Sequence, residues 1–291
     1  MLDRNVRGIT VKKDHKAQRH DKAEPLVQDQ LQQTLANAAE VVQERRTAFF
    51  TNPDDVETNH HLRTSIRRLR SLVAFVKPWQ RSRQNAETQT ILRDIVRHTS
   101  LLRELDVFEG QARADSSSSP ELIALCANAA AAERAKVLNA LSSAQVTRPF
   151  ERAMALAKNV EWKKRYATQG IPRGVVRARF DSMVESVTAE LVALDPSDAE
   201  HTHDVRKRAK RARYVAELCA DVLEADAVDV AKGMNAHQDG LGDICDARAN
   251  IRLIDGFLEQ DLSESVRQEL VALRAQNEAH LLDAQKQYGR P

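Results

Sequence analysis

The sequence feature that most constrains the fold is a pattern of cations that occurs twice, 143 residues apart. The segment HHLRTSIRRLR covers residues 60–70, and HDVRKRAKRAR covers residues 203–213. Both fit H-x-x-R-x-x-x-[RK]-R-x-R in the same register. A match of this kind predicts two similar halves, each carrying one cationic helix.

On a helix, residues spaced by 0, 3, 7 and 10 positions share one face. The residues at these spacings, called the cationic stripes below, are His60, Arg63, Arg67 and Arg70 in the first copy and His203, Arg206, Lys210 and Arg213 in the second. Beside each stripe runs an apolar row, formed by Leu62, Ile66, Leu69, Val73 and Val76 and repeated by Val205, Ala209, Ala212, Ala216 and Cys219. We therefore expect the cations to flank a buried helix face.

The rest of the chain predicts an all-α fold. Among 291 residues only 9 are Gly and 8 are Pro, and no alternating strand pattern is found. Apolar periodicity and turn signals predict helices from about Pro25 to residue 50 and over about 56–76, 84–113, 120–143, 175–194, 198–224, 227–258 and 262–287. The predicted divisions are a flexible basic arm (1–25), an N-terminal helical half (26–165) and a C-terminal helical half (170–290), with the joint in QGIPRG at 169–174.

Charge is sorted along the chain although the net charge is only +2. Residues 60–83 contain seven Lys or Arg and no acid, whereas residues 217–229 contain five acids and no Lys or Arg. An exposed run of like charges is usually a solvated helix face, costing only about 0.2–0.5 kcal/mol per pair. Two runs in one register instead favour a local anion site, since the planar guanidinium of Arg binds phosphate oxygens through two donors.

The two copies, with LRELDVF at 102–108 and QDGLGDICDA at 238–247, resemble the CHAD domain, the conserved-histidine α-helical domain. The resemblance covers about residues 26–290. It implies two pseudo-symmetric four-helix bundles that form one domain, with a basic groove that binds inorganic polyphosphate without catalysis. Some members of the family are fused to a CYTH-type triphosphatase domain, which we do not expect within these 291 residues.

The resemblance also implies a set of site residues. The polyphosphate-binding residues would be His60, Arg63, Arg67, Arg68, Arg70, Lys77, His203, Arg206, Lys207, Lys210, Arg211 and Arg213. Asp106 and Asp246 would support them by orienting stripe arginines through salt bridges.

Two other function classes stay open at this stage. Nucleic acid would also suit basic helices and the basic arm, but no aromatic residues interleave with the stripes and no nucleic-acid motif is found. The dipeptides His20-Asp21 and His203-Asp204 are reminiscent of metal-dependent phosphohydrolases, but we find no paired acidic metal motif and expect no metal or cofactor.

Location and assembly are constrained less tightly. Three scattered cysteines favour a reduced compartment, and the charged N-terminus does not read as a secretory signal. No apolar run reaches the roughly 18–20 residues that a membrane span needs. We therefore expect a cytoplasmic protein, with polyphosphate granules as its place of action. The sequence leaves the oligomeric state open.

Overall fold

A computed structural model describes residues 24–224 and 226–288, so the predicted arm lies almost wholly outside the described residues. The helices are α1 (Gln28–Thr51), α2 (Val56–Val76), α3 (Ser82–His98), α4 (Ser100–Ala114), α5 (Pro120–Ser142), α6 (Ala144–Lys158), α7 (Lys164–Gln169), α8 (Arg173–Ala193), α9 (Ala199–Leu218), α10 (Ala220–Leu223), α11 (Asp226–Leu258) and α12 (Glu264–Tyr288). In the described part of the chain, extended pairing is limited to two isolated bridges. The all-α prediction is confirmed, and none of the described helices is long and apolar enough to cross a membrane.

Local sequence signals set several helix ends. Asp55, Ser119 and Asp198 each precede a helix and accept a hydrogen bond from a backbone N–H of its first turn. Pro120 occupies the first turn of α5, where its missing N–H costs nothing. α2 ends at Val76, two residues before Pro78, as the restriction on the residue preceding proline predicts.

Two predicted helices are each divided in the structure. The single helix expected over 84–113 is divided at Thr99 into α3 and α4, and that expected over 198–224 is divided at Cys219 into α9 and α10. No helix was named from the sequence over 144–168, where α6 and α7 form. Pro149 lies inside α6, whose apolar face is buried.

The predicted joint packs against the start of α1. Val27 N–H donates to the Ile171 carbonyl (2.9 Å), and Arg173 N–H donates to that of Pro25 (2.9 Å). Gly170 has a φ of +74°, and a Cβ at this position would lie 2.6 Å from the side chain of Leu26. Glycine is therefore required here both for its backbone conformation and for space.

Two hydrophobic cores hold the helices together. The larger core joins α1, α2, α3 and α6 to α8, α9, α10 and α11, with α2 in contact with α9. The smaller core joins α4 and α5 to α11 and α12, and in it the rings of Phe108 and Phe257 stack at 6.0 Å. This packing is compatible with two bundles, while the division into residues 26–165 and 170–290 stays a prediction.

Candidate functional site

Contact between α2 and α9 brings the two cationic stripes together. All ten residues of the apolar rows are buried, as predicted, with Leu62 and Val205 exposed by 1% and 0%. The cations beside them are close enough to lower one another's pKa: Lys210 lowers that of His60, and Arg67 lowers that of His203. Since Arg67 and Lys210 are equivalent positions of the repeat, this reciprocity is what a two-fold relation of the helices would produce.

Five cations at this crossing, called the cationic cluster below, have little or no counter-charge. The cluster consists of Arg67, Arg70, Arg206, Lys210 and Arg211. Among the described residues, only Arg206 has an ion-pair partner, Asp246 at 4.0 Å, the limit of such a contact. The Nε atoms of Arg70 and Arg206 are buried without a hydrogen-bond acceptor. Unpaired buried donors and crowded like charges are stabilised when an anion binds between them.

Desolvation lowers the pKa of several cations of the cluster and so makes them less basic. It is the main cause that lowers the pKa of Arg67, Arg70 and Arg211, and neighbouring arginines add to it. At Lys210, burial followed by the charges of Arg206 and Arg67 lowers the pKa to about 7. Lys210 therefore titrates near neutral pH.

The Arg63 side chain is buried against the end of α3 and the start of α4, although its place in the stripe predicted contact with an anion. It is 8% exposed, and its Nη1 donates to the Val96 carbonyl (3.0 Å) and to the hydroxyls of Thr99 (2.9 Å) and Ser100 (3.2 Å). Both hydroxyls also donate to the Val96 carbonyl. This network satisfies the end of α3 and explains the division at Thr99. Arg63 therefore fixes the junction of α3 and α4.

Arg68 and Arg213 surround a carboxylate that the sequence analysis missed. Glu217 accepts a 2.7 Å hydrogen bond from Arg68 of the other helix and lies 3.4 Å from Arg213. Both guanidinium groups also lie over the ring of Tyr214, and Arg213 donates to Asn235. Tyr214 directly follows the second stripe in the sequence, and it is only 5% exposed.

The two supporting aspartates differ. Asp246 pairs with Arg206 as predicted, at 4.0 Å. Asp106 instead pairs with Arg134 of α5 at 2.8 Å, and it accepts a hydrogen bond from Asn59 of α2 (3.3 Å). The prediction of a salt bridge between Asp106 and a stripe arginine is therefore wrong for the described residues. The partner of Asp106 is Arg134, which lies on a helix that the repeat pattern does not include.

The remaining predicted site residues lie outside the cationic cluster. His60 is half-buried and His203 is more exposed, and desolvation is the main cause that lowers the pKa of both. Lys77 is exposed, and Lys207 pairs with Asp204 at 2.6 Å. The Asp204 carboxylate of the His203-Asp204 dipeptide is thus paired with a lysine. The dipeptide His20-Asp21 lies outside the described residues. The part of the chain that the structure describes contains no group of three His, Cys, Asp or Glu able to hold a metal ion.

Arg103 also belongs near this site and was not singled out from the sequence. Its charge lowers the pKa of both His60 and Arg63, and it lies 3.6 Å from Glu57. The available signal was its place in LRELDVF, the segment that also carries Asp106.

Replacing Lys210 by methionine should stabilise the fold at low pH. Because its folded pKa of about 7 lies below the ordinary 10.5, the unfolded chain binds more protons between these values, and stability rises with pH across that window. At pH 6 the buried charge is present, so Lys210→Met should add about 1–2 kcal/mol and raise Tm by roughly 2–8 °C. The gain should shrink towards pH 10.

Thermal unfolding at pH 6 and pH 9.5 checks this expectation. Lys77→Met is the matched control, since it removes an exposed lysine that has no ion-pair partner among the described residues. It should change Tm little at either pH. An unchanged or lower Tm for Lys210→Met at pH 6 would contradict the prediction.

Comparison with known proteins found a matching family profile and solved structures of similar fold. The CHAD domain profile matches residues 25–255. The crystal structure of the CHAD domain from the plant Ricinus communis is similar with a TM-score of 0.69 at 20% identity, over 93% of this chain and 97% of that one. PptA from Streptomyces chartreusis is similar with a TM-score of 0.67 at 14% identity, over 91% and 98% of the two chains. A search of curated proteins found no match.

Proposed function

The chain belongs to the CHAD domain family, and from this premise and the site geometry we propose that it binds inorganic polyphosphate. The ligand would lie in a basic groove where α2 and α9 meet, and the protein would act as a binding module rather than as an enzyme. The single observation that carries the proposal is the cationic cluster, in which four of five cations have no ion-pair partner among the described residues.

Polyphosphate matches this cluster better than other polyanions do. It presents one anionic group after another and no bases, so it needs repeated cations and no stacking platform. Tyr214, on the same helix as three of the cluster cations, is buried and already covered by two arginines. Proteins that bind single-stranded nucleic acids instead stack bases on accessible aromatic rings.

A cytoplasmic location, on polyphosphate granules, is part of the same proposal. Its support is chemical: Cys126, Cys219 and Cys245 are all free thiols, and the first two are buried. Free cysteines suit a reducing compartment. Localisation of a tagged protein in cells that do and do not accumulate polyphosphate would check this part.

Titration with long-chain polyphosphate at several salt concentrations tests the proposed function. We expect the logarithm of the affinity to fall linearly with the logarithm of salt concentration, because bound cations are released from the polymer. Single- and double-stranded DNA of equal total charge should compete poorly at fixed salt. Equal or better competition by DNA would favour nucleic-acid binding, and phosphate release with Mg²⁺ or Mn²⁺ would contradict a non-catalytic role.

A further inference from the structure

A pocket of about 460 Å³ opens between α2, α8 and α9, beside the cationic cluster. Its polar lining comes from Arg179, Ser182, Ser186, Arg208 and Arg211, and the rest is apolar and includes Ala74. The lining contains no carboxylate among the described residues. A concave site with three guanidinium groups and two hydroxyls suits a phosphoryl group, whose oxygens accept several charge-assisted hydrogen bonds.

The internal repeat shows why the pocket exists on one side only. With the offset of 143 residues, Arg211 is equivalent to Arg68, and Ala74 is equivalent to Glu217. The Arg68 guanidinium has the Glu217 carboxylate at 2.7 Å. Arg211 has the methyl group of Ala74 in its pocket instead and no ion-pair partner among the described residues. One end of the helix pair thus carries its own anion, and the other end lacks one.

The donors that line the pocket are held in place or free to bind. Arg179 donates from Nε to the Phe75 carbonyl (2.6 Å) and from Nη2 to that of Ala74 (3.2 Å), which fixes it at the end of α2. Ser182 and Ser186 lie one turn apart on α8, and their hydroxyls have no hydrogen-bond partner among the described residues. Arg208 is partly neutralised by Glu190, so Arg211 is the least compensated cation here.

We propose that this pocket binds the end of a polyphosphate chain, in the place that the Glu217 carboxylate takes at the opposite end of the helix pair. The inference rests on the proposed function and adds a direction to it. A chain lying along the cationic cluster would end between α2, α8 and α9, because the Arg68 end is closed by Glu217. Terminal phosphates, with their extra charge, would benefit most from three guanidinium groups.

The test restores the missing carboxylate. In Ala74→Glu the new side chain can pair with Arg211 and fill the pocket, whereas Ala74→Gln adds equal bulk without charge. Ser182→Glu and Ser182→Gln form a second pair at an exposed position of α8, in case Ala74→Glu does not fold. Affinity is measured by titration with short polyphosphate of defined length and with long polymer.

We expect each glutamate variant to bind short chains about tenfold more weakly than its glutamine control, and long chains to be affected less, because they can bind by their middle. If the glutamate and glutamine variants bind short polyphosphate with equal affinity while long polymer still binds, the pocket assignment is overturned and the proposed function stands. An equal loss for both lengths would overturn the assignment to chain ends. If the wild-type protein binds no polyphosphate, the proposed function fails first, and this inference with it.

Discussion

Reversing the charge of either stripe at the cationic cluster should weaken polyphosphate binding by about 100-fold or more. The variants are Arg67→Glu with Arg70→Glu on α2, and Arg206→Glu with Lys210→Glu on α9. Either pair should suffice, because both helices would line the proposed groove and two lost contacts of about 1.5–3 kcal/mol each give this factor. The slope of log affinity against log salt should also become shallower, by up to about one per lost contact.

A matched control separates the site from general electrostatics. Arg45→Glu with Lys164→Glu changes the net charge by the same amount at two exposed positions on α1 and α7, which make no ion pair with described residues. This variant should lose only a few-fold in affinity, and only at low salt, because screening acts on distant charges. Circular dichroism shows whether each variant is folded. Stripe variants that fold and bind as tightly as the control would contradict the proposed groove.

Arg63 is left unchanged in this design for a structural reason. The sequence pattern places it in the cationic stripe, where it was expected to flank the buried helix face. Its guanidinium is instead buried and bonded to α3 and α4, and a glutamate there would lose these three bonds and place a carboxylate in a buried site. Loss of binding in an Arg63→Glu variant would therefore not distinguish ligand contact from loss of structure.

The sequence predicted those features that depend on local periodicity. The apolar rows and the end of α2 at residue 76 were predicted in this way. The caps formed by Asp55, Ser119 and Asp198 also depend on residues only a few positions away. Such signals are complete in the sequence itself, because the partner of each group is its near neighbour along the chain.

Features that depend on distant partners could not be read in this way. The division at Thr99 requires a guanidinium from residue 63, and the ion pair of Asp106 requires one from residue 134. A stripe gives the angle of a side chain on its own helix but says nothing about which helix lies opposite. Glu217 was visible in the sequence as an acid, yet its role at Arg68 appears only once α2 and α9 are in contact.

The Asp106–Arg134 pair gives the second large expected effect, this time on stability. The Asp106 side chain is 0% exposed and that of Arg134 is 12% exposed, at a distance of 2.8 Å. Asp106→Ala would leave the Arg134 guanidinium without its partner in a largely buried site and would remove the acceptor of Asn59. We expect a loss of about 3–5 kcal/mol, which lowers Tm by roughly 6–20 °C. Asp94→Ala, at an exposed aspartate with only long ion pairs of 3.7 and 3.9 Å, should cost at most about 1 kcal/mol.

Replacing both partners should have a much smaller effect than replacing one. Burial is the largest influence on the pKa of Asp106 and raises it, although Asn59 and Arg134 act in the opposite direction. The desolvation of the carboxylate therefore outweighs the attraction it gains, and the pair contributes little net stability. Asp106→Leu with Arg134→Met keeps the volume, removes both charges and should recover most of the loss seen in Asp106→Ala. Thermal and urea unfolding of Asp106→Leu, of Arg134→Met and of the double variant measure the coupling free energy between the two side chains. If the double variant is as unstable as the sum of its single variants, the two side chains act independently and the ion pair is not what holds α4 to α5.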